Sequence, residues 1–170
     1  VLGICGGYQM LGHHIDDTVE SGEGEVDGLG LLDVHTTFSP AKVVRRVRGH
    51  ADIAGTATAV TVYEIRLGQP SGGHPWISGD HGPEGASSPD GRVRGTSWHG
   101  IFDGDATRRA LLRDVATLRG RSFVPAASSF EGAVDAEVER LADWLTGAVP
   151  LGDLREIAMR AVDPERAPGW

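Results

Sequence analysis

At 170 residues, 39% of them hydrophobic and 24% charged, the chain is long enough for one folded domain with a core. Its net charge of −8 argues against a phosphate-tracking surface, and so against nucleic acid as the main partner. The single cysteine excludes an internal disulfide and a cysteine-built zinc cage, and no apolar run approaches the about 20 residues of a membrane span, so no membrane association is expected and the cytoplasm is the expected location.

The chain opens on Val1-Leu2-Gly3-Ile4, a short apolar strand that runs into Cys5-Gly6-Gly7. Tyr8 to His14 then starts a helical pattern, giving strand, tight turn and helix in succession. There is no initiator Met, and the strand is entered partway, so a fragment lacking its natural N-terminal part is expected. Asp16 to Gly30 is polar and glycine-rich and reads as loop. Gly30 to Val34, Thr36 to Phe38, Val43 to Gly49 and Thr58 to Leu67 read as strands. Gln69 to Gly91 is rich in Gly, Pro and Ser and reads as one long surface loop. Arg92 to Ser97 is a strand delivering Trp98-His99-Gly100-Ile101-Phe102. Asp103 to Arg119 is a helix with Ala110, Leu111, Val115 and Leu118 at helical spacing, capped by Asp103 or Asp105. Phe130 to Leu145 is a second, with Val134, Val138, Leu141 and Leu145 on one face. From Pro150 a short helix leads to a Pro-containing, frayed tail. The mixture implies an α/β layered domain over residues 1–146, followed by a C-terminal helix and tail over 147–170.

Gly3-Ile4-Cys5-Gly6-Gly7 has the form G-x-C-x-G, the cysteine counterpart of a hydrolase nucleophile elbow. A nucleophile between strand and helix takes a strained turn, for which small neighbours leave room. The helix N-terminus favours thiolate, and the Gly6 N–H stands ready for a tetrahedral oxyanion. A lone cysteine at a strand end is more commonly a buried thiol. Flanking glycines, the apolar strand before it and the helix after it favour the nucleophile. Such a thiol needs a histidine close in space. Of the seven, His99 is best placed, after a strand and before a glycine. His74 and His81 fall in the long loop, and His13 and His14 fall on the helix after the elbow, pointing away.

Taken together, Val1 to Gly12, the stretch Glu25 to Leu32 with Thr36-Thr37-Phe38, Tyr63 to Gly68, and Gly91 to Asp103 resemble the class I glutamine amidotransferase family. The likeness is greatest to its cobyric acid synthase branch, through "GLGLL…TTF", "YEIHMG" and "GTYLHGLFD" segments in the same order, over about Val1 to Leu145. The resemblance implies a flavodoxin-like layer fold with a central, mostly parallel sheet flanked by helices, its N-terminal strands missing here. It implies glutamine hydrolysis through a Cys5 thioester, with His99 as base, Gly6 at the oxyanion and Gln9 near the substrate. It implies no cofactor or metal in this domain. ATP and Mg2+ belong to an absent synthetase domain, where ammonia amidates four carboxylates of the corrinoid adenosylcobyrinic acid a,c-diamide.

Three departures stand out. Ile101 occupies the position where many members of the family carry a Glu two residues after the histidine. Arg66 replaces the His of the "YEIHMG" strand, and Ser97-Trp98 replaces Tyr-Leu. No GxxxxGK[ST] loop occurs. Four alternatives stay open: the glutaminase part of cobyrinic acid a,c-diamide synthase, that of a lipid II amidating enzyme, a silent domain of the same fold, and a cysteine-peptidase-like hydrolase. Labelling of Cys5 by a glutamine-analogue diazo-ketone separates the silent domain from the rest, and ammonia release separates the hydrolase.

Overall fold

The computed structural model describes residues 1–161. The elements in chain order are β1 (Leu2–Ile4), α1 (Gly6–Leu11), β2 (His14–Asp17), β3 (Gly24–Asp27), β4 (Val34–Ile53), β5 (Thr56–Gly72), β6 (Ile77–Gly79) and β7 (Gly82–Glu84). They continue with β8 (Ala86–Ser87), β9 (Arg94–Thr96), β10 (Trp98–His99), α2 (Asp105–Leu118), α3 (Phe130–Ala148) and α4 (Leu151–Ala161). Two compact units are present, Val1–Ala126 and Ala127–Trp170; the boundary drawn from sequence at 146/147 falls within α3. The tail expected after the last helix lies outside the described residues.

In the first unit one sheet has the order β1-β9-β8 and a larger one the order β10-β5-β4-β2-β3, with β6 on β4 and β7 on β6. The fold is mixed α/β, but the mostly parallel sheet expected from sequence is not what the described residues form. Only β1·β9 and β2·β4 run parallel; the other pairs are antiparallel. The cause is local. The segments read as separate strands over 36–38 and 43–49 belong to one long strand, β4, which turns back on itself as β5 through Ala54-Gly55. Both turn residues have positive φ, 53° and 76°, the backbone of a two-residue turn that joins antiparallel strands.

The β4–β5 ribbon buries alternate residues. Val47, Ile53, Val60 and Val62 face a core with Trp76, Trp98, Ile101 and Leu111. The opposite face leaves Val44, Tyr63 and Ile65 exposed. A second cluster forms around Tyr8, Leu11, Leu32 and Val34. α2 starts from Gly104 without a side-chain cap, so neither Asp103 nor Asp105 caps it; Asp105 sits inside the first turn, paired with Arg108. Of its apolar positions Leu111 is buried, while Val115 and Leu118 stay exposed along a groove shared with Leu2 and Phe102.

In the second unit Ser129 caps α3 by accepting the Gly132 N–H at 3.0 Å. Val134, Val138, Leu141 and Leu145 of α3 are exposed. Among the described residues no helix is long and apolar enough to cross a membrane.

Candidate active site

The elbow forms where the sequence places it. Cys5 follows β1 directly and precedes α1, with φ 52° and ψ −115°, a conformation that costs a non-glycine residue on the order of 1–3 kcal/mol. The three glycines around it do different work. A Cβ on Gly3 would lie 2.6 Å from the Gly7 carbonyl oxygen and 2.6 Å from Leu11 Cδ1, so only glycine lets α1 fold back across the strand. A Cβ on Gly6 or Gly7 would meet nothing within 4 Å. Both positions therefore face open space. As the first helical residue, Gly6 has an N–H without an intrahelical acceptor.

The thiol lies 3.9 Å from the carbonyl oxygen of Ile65 on β5. His99 sits on β10, whose register pairs it with Tyr63, two residues before Ile65 on the same strand. Its ring stacks on the Tyr63 ring, with centroids 5.1 Å apart and planes 12° apart. Cys5 and His99 thus reach the same short stretch of β5, although their strands belong to different sheets. The His99 Nε2 is buried and has no hydrogen-bond partner among the described residues. Ile101, two residues on, has no polar side-chain atom to supply one and is packed in the core at 1% exposure.

Thr96 stands between the two. β1 and β9 run parallel with Ile4 opposite Thr96, and the Cys5 N–H donates to the Thr96 carbonyl at 2.9 Å. The Thr96 hydroxyl accepts the Trp98 N–H at 3.1 Å and donates to Glu84 at 2.5 Å. Glu84 also accepts the Ser97 N–H at 2.6 Å. Burial pushes the Glu84 carboxyl up, aided by the nearby Glu64 charge, and the hydrogen bonds from Thr96 and Ser97 offset only part of this. Burial, then the Glu84 charge, raises the Tyr8 phenol in turn.

The other face of β5 carries Glu64, buried at 1% exposure and held by Arg45 at 2.6 Å and Arg66 at 2.5 Å. Burial alone would raise this carboxyl, but the two guanidinium groups outweigh it and keep it below its ordinary value. Tyr8, Glu64, Arg66, Glu84 and Ser97 border a polar cleft of about 340 Å³. Gln9 is buried on α1, and its amide nitrogen would lie 2.3 Å from a Cβ on Gly68, so it packs tightly against the next part of β5.

His13 and His14 do not lie on the helix after the elbow. α1 ends at Leu11, and His14 is the first residue of β2. Both rings gather with His35, at centroid separations of 5.4–6.5 Å, near Asp27 and Asp33. Among the described residues no group of three or more such side chains is arranged to hold a metal ion. His74 and His81 are exposed. Glu84, Thr96 and Tyr63 went unnoticed in the sequence. A buried Glu inside a Gly- and Pro-rich segment carries no periodic signal; Tyr63 does fall within a family-like segment.

A cysteine held at positive φ between strand and helix, and a histidine brought by another strand to the same stretch of β5, are the residue types from which thiol-dependent amidotransferase and hydrolase sites are built. Residues 1–107 match the CobB/CobQ-like glutamine amidotransferase domain, and the chain belongs to that family. It is 50% identical over 159 residues to the cobyric acid synthase of Frankia casuarinae, covering 92% of this chain and 29% of that protein. Against the cobyric acid synthase of Mycolicibacterium paratuberculosis identity is 47% over 147 residues, 85% of this chain and 27% of that protein. Against that of Rhodococcus jostii it is 43% over 174 residues, 99% and 32%. The chain thus spans about 30% of the length of these relatives.

Proposed function

We propose that this chain is the glutamine-hydrolysing part of a cobyric acid synthase. Cys5 attacks the side-chain amide carbon of glutamine, and His99 takes the thiol proton. The Gly6 N–H donates to the resulting oxyanion. The tetrahedral intermediate collapses as the imidazolium returns its proton to the leaving nitrogen, releasing ammonia and leaving a Cys5 thioester. Water, deprotonated by His99, cleaves the thioester to glutamate and restores the thiol. Gln9 lies on the helix beside the nucleophile and contributes to the substrate side of the site. Ammonia then amidates peripheral carboxylates of adenosylcobyrinic acid a,c-diamide in a synthetase portion that uses ATP and Mg2+, all in the cytoplasm. A flavodoxin-like layering, completed by parallel strands from that longer polypeptide, fits this reading.

The observation that supports it is that Cys5 approaches Ile65 and His99 pairs with Tyr63, two residues apart on β5, together with relatives of the same amidotransferase family. The test is Cys5→Ala in the intact polypeptide, assayed with either glutamine or ammonium salts. Glutamine-dependent amidation is lost and ammonia-dependent amidation persists. Loss of both, or of neither, sinks the proposal.

A further inference from the structure

We infer that Thr96 and Glu84 form a positioning clamp that sets the separation between the Cys5 thiol and the His99 imidazole. The clamp rests on the glutaminase reading for its purpose and on geometry for its existence.

Among the described residues His99 has no acidic partner at its buried Nε2, and the position two residues on belongs to the hydrophobic core. Its ring plane is set by the Tyr63 stack, but stacking leaves the ring free to slide in that plane. Something else must hold the backbone that carries it. Thr96 is fully buried and touches both halves of the site: its carbonyl takes the Cys5 N–H, and its hydroxyl takes the Trp98 N–H immediately before His99. A hydroxyl accepting in this way has its own proton to place, and Glu84 receives it. The second Glu84 oxygen takes the Ser97 N–H, so one carboxylate fixes Thr96 and Ser97 on the segment that leads to His99. Burying a carboxyl is unfavourable, and this one is spent on backbone and a hydroxyl, with no cation in hydrogen-bond contact among the described residues. Glu84 borders the same cleft as Tyr8, which lies on the helix that follows Cys5. A misplacement of about 1 Å between reacting groups costs on the order of 10²-fold in rate, so a device that fixes this spacing has a kinetic effect without touching substrate.

The experiment compares wild type, Thr96→Val, Thr96→Ser and Glu84→Gln in the intact polypeptide, with thermal melting to establish folding. Two rates are read: kcat and KM for ammonia release from glutamine, and alkylation of Cys5 by iodoacetamide, followed on the Cys5 peptide by mass spectrometry. Thr96→Val removes both hydroxyl hydrogen bonds while keeping shape; kcat falls about 10–100-fold, KM stays nearly constant, and alkylation slows in parallel. Thr96→Ser keeps the hydroxyl and restores most of kcat. Glu84→Gln still accepts one hydrogen bond and falls less, by about 5–10-fold. Folded Thr96→Val and Glu84→Gln proteins with wild-type kcat and alkylation overturn the clamp, as does a Thr96→Ser no better than Thr96→Val. If Thr96→Val does not fold, Glu84→Gln decides alone. A wild type that releases no ammonia overturns the glutaminase reading, and the alkylation rates, which need no glutamine, still decide the clamp.

Discussion

The two halves of the site are built in opposite ways. The Cys5 half is mostly local: strand, turn and helix lie within Leu2–Leu11 and the tightly packed Gly3 is two positions away, with β9 as the remote support that takes the Cys5 N–H and sets Gly95 against Tyr8. The His99 half is assembled from afar. Its register comes from Tyr63, its backbone anchors from Glu84 and Thr96, and its strand β10 is only Trp98–His99. A local device is robust to changes elsewhere in the fold. A distributed one fails when any remote contributor is lost, and substitutions rank the two accordingly.

The largest effect is expected from His99→Ala, a loss of about 10²–10⁴-fold in kcat for glutamine hydrolysis, with ammonia-dependent amidation retained. Glu64→Ala would break the buried ion pairs with Arg45 and Arg66 beneath β10, destabilising by about 3 kcal/mol in denaturant titrations. The local half is sharpened by a pair of glycine changes. Gly3→Ala forces a contact with the Gly7 carbonyl and is expected to lose about 1–3 kcal/mol, whereas Gly7→Ala has room and leaves the melting temperature unchanged or higher. Equal behaviour of the two would show that the elbow is not held by its first glycine.

Acid provides a further separation. The Glu64 carboxyl is held below its ordinary value of 4.5, so its contribution is fully present above that pH and disappears as pH falls through the lower folded value. Glu84 is shifted the other way; its contribution is complete below 4.5 and is lost as pH rises through its higher folded value. Melting temperature against pH for Glu64→Gln and Glu84→Gln should therefore diverge from wild type at opposite ends. Parallel curves would contradict both assignments. The smallest effect concerns neither half: Ala54→Asn at the ribbon's turn, where φ is 53°, should stabilise by about 0.5–1 kcal/mol in chemical denaturation.

The same contrast explains what could be read from the sequence. The strand, turn and helix around Cys5 were legible because their determinants are contiguous, and the strand that carries His99 because a short strand pattern ends there at a glycine. The helices over Asp105–Leu118 and Phe130–Ala148 were legible from apolar spacing across several turns. The segment over 69–91 was not. It contains the end of β5 and three further strands, β6, β7 and β8, the longest being Ile77–Gly79 and Gly82–Glu84. Strands this short show no period, and their Gly and Pro content imitates a loop. Glu84 was hidden with them. Likewise β2 and β3 formed inside a polar stretch because pairing with each other, and of β2 with β4, supplied what local propensity did not. The parallel sheet was expected from family likeness, and the Ala54-Gly55 turn fixed the longest pair as antiparallel.

The ribbon's irregularity has a consequence for how this chain can vary in length. Ser39, Pro40, Ala41 and Lys42 of β4 stand opposite the single Leu67 of β5, between the pairs Phe38↔Gly68 and Val43↔Arg66. Slack is therefore stored on the strand opposite the one that carries Tyr63, Ile65 and Gly68. A residue gained or lost among those four is absorbed where it arises, and Pro40 has no N–H to misplace. The same change between Tyr63 and Gly68 would turn side chains to the wrong face and shift the thiol, the amide and the imidazole out of step. Insertions and deletions should thus be tolerated on one side of the hairpin and eliminated on the other.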